Sequence, residues 1–107
     1  MRQAGVLAAA GLVALRDHVE RLADDHARAR RLAEAVAERW PNSVDPDVVR
    51  TNIVVFPHAE SLKVCAHLED HGVLAVPLGP GALRLVTHLD VDDAGIEQAC
   101  RAIAAAP

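Results

Sequence analysis

The apolar positions of this chain follow two different periods. From Ala4 to Leu15 nearly every residue is apolar or small, which predicts a helix over Gly5–Leu15 with no polar side. Beyond it, Val19, Leu22, Ala29, Leu32, Ala33, Val36, Ala37 and Trp40 recur at helical spacing with His26 on the same stripe. This second, one-sided helix carries Arg39 in its last turn and stops at Pro41. One amphipathic helix cannot cover an all-apolar one, so the first helix requires a partner surface or a missing domain.

After Pro41 the pattern shortens. A polar turn around Asp45, Pro46 and Asp47 leads to a strand near Asn52–Phe56, then a helix over about Ser61–His71 closed by Gly72. Val73–Val76 and Ala82–Val86 read as two strands joined across Pro77–Gly81, with Gly79, Pro80 and Gly81 forming the hairpin turn. A last helix over Asp93–Ala104 sets Ile96, Ala99, Cys100 and Ile103 on one face. The expected fold class is α/β of the two-layer α+β kind: a three-stranded, largely antiparallel sheet with helices on one face, preceded by two helices. Residues 1–40 form a leading helical segment and residues 41–107 a small α/β domain, together one structural unit.

The run behind Met1 and Arg2 resembles a signal sequence only superficially. It is shorter than the roughly 20 apolar residues a membrane span needs. No small-residue cleavage site follows, and the chain passes directly into RDHVERLADDH, so a buried helix is expected. A 51% apolar composition suffices for a core, with Phe56 and Trp40 its only aromatic bulk. The formal charge of −4 argues against a nucleic-acid partner. The one basic cluster, Arg28, Arg30 and Arg31, lies among Asp24, Asp25 and Glu34 and reads as a solvated face with pairing four residues apart. Cys65 and Cys100 belong to no zinc or CxxC pattern; they read as small buried hydrophobes in a reducing, cytoplasmic compartment.

Candidate chemistry centres on GPGALRLVTHLDV, Gly79–Val91, where Arg84 stands inside an apolar strand. A guanidinium there needs an anion that it can grip with two parallel hydrogen bonds. Alternation puts Arg84 on one face with Ala82 and Val86, and Leu83 and Leu85 on the other. The anion is either a substrate carboxylate or an internal partner such as Asp90. His67 and His71 share a helix face, but Leu68 stands where the HExxH pattern has glutamate and no third ligand is evident, so no metal site is assigned. His71 beside Gly72 reads as a cation near a helix C-terminus, and His88 receives no role.

Five segments in order, MRQAGVLAAAG (Met1–Gly11), DHARARRLAE (Asp25–Glu34), RTNIVVF (Arg50–Phe56), the Gly72–Leu74 turn and GPGALRLVTHLDV, give the chain its resemblance. It is similar to the C-terminal part of the low-specificity threonine aldolases, pyridoxal-phosphate enzymes of the β-eliminating lyase group. The resemblance implies the small C-terminal domain of a fold-type I enzyme that cleaves β-hydroxy amino acids to glycine and an aldehyde, working as a homo-oligomer. It implies that Arg84 binds the substrate's α-carboxylate and that Arg2 helps hold the cofactor's phosphate. It also implies a fragment, inactive alone, whose partners are a missing large domain or neighbouring subunits. The family's cofactor-attaching lysine belongs upstream of the MRQ segment, and Lys63, the only lysine, does not match it. The alternative is a non-catalytic α/β binding module built from the residues after Pro41.

Overall fold

Alternation of apolar and polar residues builds the sheet. In β1 (Ile53–Pro57) and β3 (Ala82–Val86) every second side chain is buried, Val54 and Phe56 in one strand and Leu83 and Leu85 in the other. A third, two-residue strand, β2 (Val76–Pro77), completes the order β1-β3-β2, with every pairing antiparallel. The computed structural model describes residues 1–107 and has four helices: α1 (Ala4–Asp17), α2 (Leu22–Arg39), α3 (Ser61–Asp70) and α4 (Asp93–Ala104). The α+β architecture and the last helix lie where the sequence pattern puts them. A 3-10 turn at Pro46–Val48, capped by the Asp45 carboxylate on the Asp47 amide, returns the chain from α2 to β1.

Helices α2, α3 and α4 cover a single face. Leu32 and Val36 of α2, Val64 and Leu68 of α3, and Ile96 and Ile103 of α4 join the inward residues of the sheet in one core. Small buried residues, Ala29 and Ala33 on α2 and Ala99 and Ala102 on α4, let these two helices pack closely. Phe56 is wholly buried at the centre and stacks on Trp40, with ring centroids 5.6 Å apart.

The basic cluster on α2 departs from the expected local pairing. Arg30 does reach Glu34 four residues on, but Arg28 binds Asp93 at 2.8 Å and Arg31 binds Glu97 at 3.1 Å, both across to α4. Arg39 adds two hydrogen bonds to the Ala106 carbonyl, at 3.0 and 2.7 Å. Arg28 and Arg31 therefore brace two helices that their apolar faces already bring together, and Arg39 ties the end of α2 to the chain just past α4. These ion pairs are open to solvent, which screens them, so the apolar contacts and not the charges hold the two helices together.

The second strand is later and shorter than Val73–Val76. Gly72, at φ +75°, donates to the Glu69 carbonyl and Val73 donates to that of Leu68, so both amides are consumed in capping α3. Pairing with β3 begins only at Val76 and ends at Pro77, which has no N–H to donate. Leu78 then donates to the Ala82 carbonyl and closes the hairpin.

Asp25 and His26 exchange their expected places. His26 is exposed, whereas Asp25 is only 2% exposed and is held by both terminal nitrogens of Arg21, at 3.0 and 2.7 Å. The buried Thr87 hydroxyl donates to the Asp25 backbone carbonyl at 2.7 Å, and Asn52 brackets the Thr87 backbone on both its N–H and its C=O. The end of β3 is thereby tied to the start of α2. Thr87→Val keeps the shape and removes the hydroxyl, and is expected to lower stability by about 0.5–1.5 kcal/mol in urea unfolding. No change in midpoint would show that this tie contributes nothing.

The first helix is not buried. No residue of α1 is covered by the rest of the chain, and Val6, Leu7, Leu12 and Leu15 all face outward. Val19 and Leu22, at the junction with α2, are exposed as well. This corrects the expectation of a buried helix and leaves intact its premise, that the run needs more protein than this chain supplies. The projection also explains an elongated outline of 47 × 27 × 24 Å, since α1 alone is about 21 Å long.

Candidate functional site

The face of the sheet turned away from the helices is open. Its residues are Ile53, Val55 and Pro57 from β1, Ala82, Arg84 and Val86 from β3, and Val76 from β2. Ile53, Val55, Val76 and Val86 are all exposed, while Arg84 at the centre is half-buried. Arg84 is the only charged side chain in this set. Its Nε is buried and has no hydrogen-bond partner, an uncommon state for a cationic nitrogen.

The internal partner considered for Arg84 is not used. Asp90 points to solvent, with its side chain 89% exposed and the His88 ring Nδ1 4.0 Å away. No carboxylate of the chain lies within ion-pair distance of Arg84. The guanidinium therefore presents an unsatisfied donor amid apolar side chains, a surrounding in which a charge-assisted hydrogen bond is stronger than in bulk water.

Arg2, the other candidate, is exposed at the start of α1 and makes no hydrogen bond or ion pair. The chain does not gather it with Arg84 into one site. The imidazoles of His67 and His71 sit on backbone carbonyls, those of Ala102 at 3.0 Å and His67 at 2.7 Å. A groove of about 300 Å³ lies at the end of β3 beside His88, Asp92 and Gln98, but Arg84 does not line it.

Cys100 is buried and Cys65 half-buried, and burial pushes both thiols above their ordinary value. A raised thiol pKa favours the neutral form in the folded state, so any associated stability is lost as pH rises past the ordinary thiol range. Native alkylation by iodoacetamide at pH 8 is expected to lag well behind that of the urea-unfolded chain. Equal rates would contradict the burial.

Residues 1–59 match the model of the family described as Beta-eliminating lyase. The chain belongs to that family. Along most of its length it is also similar to low-specificity threonine aldolases. It is 41% identical over 102 residues to a probable low-specificity L-threonine aldolase 2 of Arabidopsis thaliana, covering 91% of this chain and 29% of that protein. It is 33% identical over 93 residues to low-specificity L-threonine aldolase 1 of the same plant, covering 82% and 26%. It is 38% identical over 95 residues to the low specificity L-threonine aldolase of Escherichia coli strain K12, covering 85% and 26%. The chain thus spans less than a third of the length of these relatives. Each alignment omits fewer residues than separate Arg84 from Pro107, so each takes in the open sheet face.

The beta-eliminating lyase and threonine aldolase family depends on pyridoxal phosphate. The side chains of this lyase-family chain do not by themselves fit that cofactor. The only lysine, Lys63, is exposed on α3, a helix of the sheet face opposite Arg84, where it is paired with Glu60. What the open face offers is one unsatisfied guanidinium N–H among apolar side chains. Sequence reasoning located Arg84 on its strand; it did not find the valines flanking it or the Arg21–Asp25–Thr87 tie. The four-residue spacing of Arg21 and Asp25 was the one local signal for that tie.

Proposed function

We propose that this chain is the carboxylate-binding portion of a threonine-aldolase-like lyase that converts β-hydroxy amino acids to glycine and an aldehyde. One observation carries the reading: Arg84 stands alone in an apolar, uncovered sheet face with a buried Nε that nothing in the chain satisfies. A carboxylate has two oxygens at the spacing of one edge of the guanidinium fork, so the α-carboxylate of an amino acid satisfies Nε and a terminal nitrogen together. Fixing that group fixes the orientation of the rest of a small substrate, including the bond between its α and β carbons.

In this reading the chain supplies binding and orientation. The electron sink is pyridoxal phosphate, held mainly by protein outside these 107 residues. Arg2 is the residue of this chain we assign toward its phosphate, once α1 is seated against that protein. The outward apolar surface of α1 supports such a seating. The test is turnover in the complete protein: glycine released from threonine or a related β-hydroxy amino acid, in a manner that depends on Arg84. Full turnover with Arg84 replaced by alanine would sink the proposed role, and absence of any glycine release would sink the activity.

A further inference from the structure

Arg84 has a valine on each side. In the sheet register it lies opposite Val55 of β1 and opposite Val76 of β2, all three on the open face. Directly opposed residues of antiparallel strands hold their Cβ atoms about 4.5–5.5 Å apart. The aliphatic stem of the arginine therefore runs between two side chains that can accept no hydrogen bond. The effect is local to the inner part of the guanidinium, because Nε is buried and unpartnered while the residue as a whole remains half-exposed.

We infer that Val55 and Val76 are positioning residues for carboxylate recognition: they hold the stem of Arg84 and keep its Nε free for the incoming anion. The inference rests on the carboxylate reading of Arg84 given above and adds the device that makes it selective. A hydroxyl at either position would be an acceptor within reach of Nε–H. It would satisfy that donor internally and turn the Nε edge of the fork away from the substrate.

Threonine is the discriminating substitution, because it is β-branched like valine, suits a strand, and differs by one hydroxyl. Val55→Thr and Val76→Thr are compared in the complete, cofactor-loaded protein with Val55→Ile and Val76→Ile as apolar controls and with Arg84→Lys. Binding is read by calorimetry with glycine, and in parallel with ethanolamine, which has a hydroxymethyl group in place of the carboxylate. Each threonine variant is expected to weaken glycine binding and raise KM by about tenfold, the value of one hydrogen bond. Ethanolamine binding, kcat and the melting temperature should stay near wild type, and the isoleucine variants should bind glycine within about twofold of wild type.

Threonine variants that bind glycine as wild type does, or that lose ethanolamine as much as glycine, would overturn the positioning role. If Arg84→Lys weakens glycine binding and the threonine variants do not, the valine role alone falls. If Arg84→Lys leaves glycine binding unchanged, the carboxylate reading falls and takes this inference with it.

Discussion

Under the proposed function, Arg84→Lys is expected to raise KM for a β-hydroxy amino acid by roughly 10- to 100-fold in the complete protein, with a smaller change in kcat. The substitution keeps the positive charge on an aliphatic stem but replaces a planar fork by a point charge. What is lost is the second parallel hydrogen bond, and a hydrogen bond to a charged group is worth about 1.5–3 kcal/mol. The buried, unpartnered Nε makes the prediction specific, since that is the donor lysine lacks. Arg84→Ala should be worse still, removing both bonds and the charge. Steady-state kinetics at saturating cofactor decides the matter, and an unchanged KM in Arg84→Lys would remove the carboxylate role. Because the guanidinium lies on the open face and not in the core, these variants should keep the wild-type unfolding midpoint.

Phe56→Ala is expected to cost about 3–5 kcal/mol of stability. A domain of this size has only about 5–15 kcal/mol in total, so the variant sits near the edge of folding. Phe56 is fully buried in β1, opposite Leu83 in the register and stacked on Trp40. With only one phenylalanine, one tryptophan and no tyrosine in the chain, no other large side chain is at hand to fill the space. Phe56→Leu retains most of the volume and should lose much less. Urea unfolding followed by circular dichroism separates the two; a loss below about 1 kcal/mol in Phe56→Ala would mean that the core collapses into the gap.

The parts of this structure legible in the sequence are those governed by local periodicity. The bounds of α4, the alternation that puts Leu83 and Leu85 inward and Arg84 outward, and the hairpin at Gly79–Gly81 all follow from neighbours in the chain. The parts that were not legible depend on distant partners. Asp25 looks like one of several helix-surface carboxylates until Thr87, 62 residues away, is seen to bind its carbonyl. Arg28 and Arg31 have acidic neighbours along their own helix, yet pair with α4 because helix packing brings Asp93 and Glu97 closer. The second strand was misplaced because the cap of α3 competes for the same amides. The site divides in the same way: Arg84 and its face are a matter of alternation, while its separation from Asp90 and its two valines depend on three-dimensional register.

The outward position of α1 divides the chain thermodynamically. Its 14 residues bury nothing, so its helix–coil balance is set by its own alanine-rich sequence and by whatever lies against it, and not by the core. Isolated helices of this length are marginal in water. The cooperative unit of this chain accordingly begins near Arg21, where the Asp25 and Thr87 bonds first tie the backbone to the sheet. Order in α1 is therefore expected to respond to any surface that covers its apolar side chains, independently of the core.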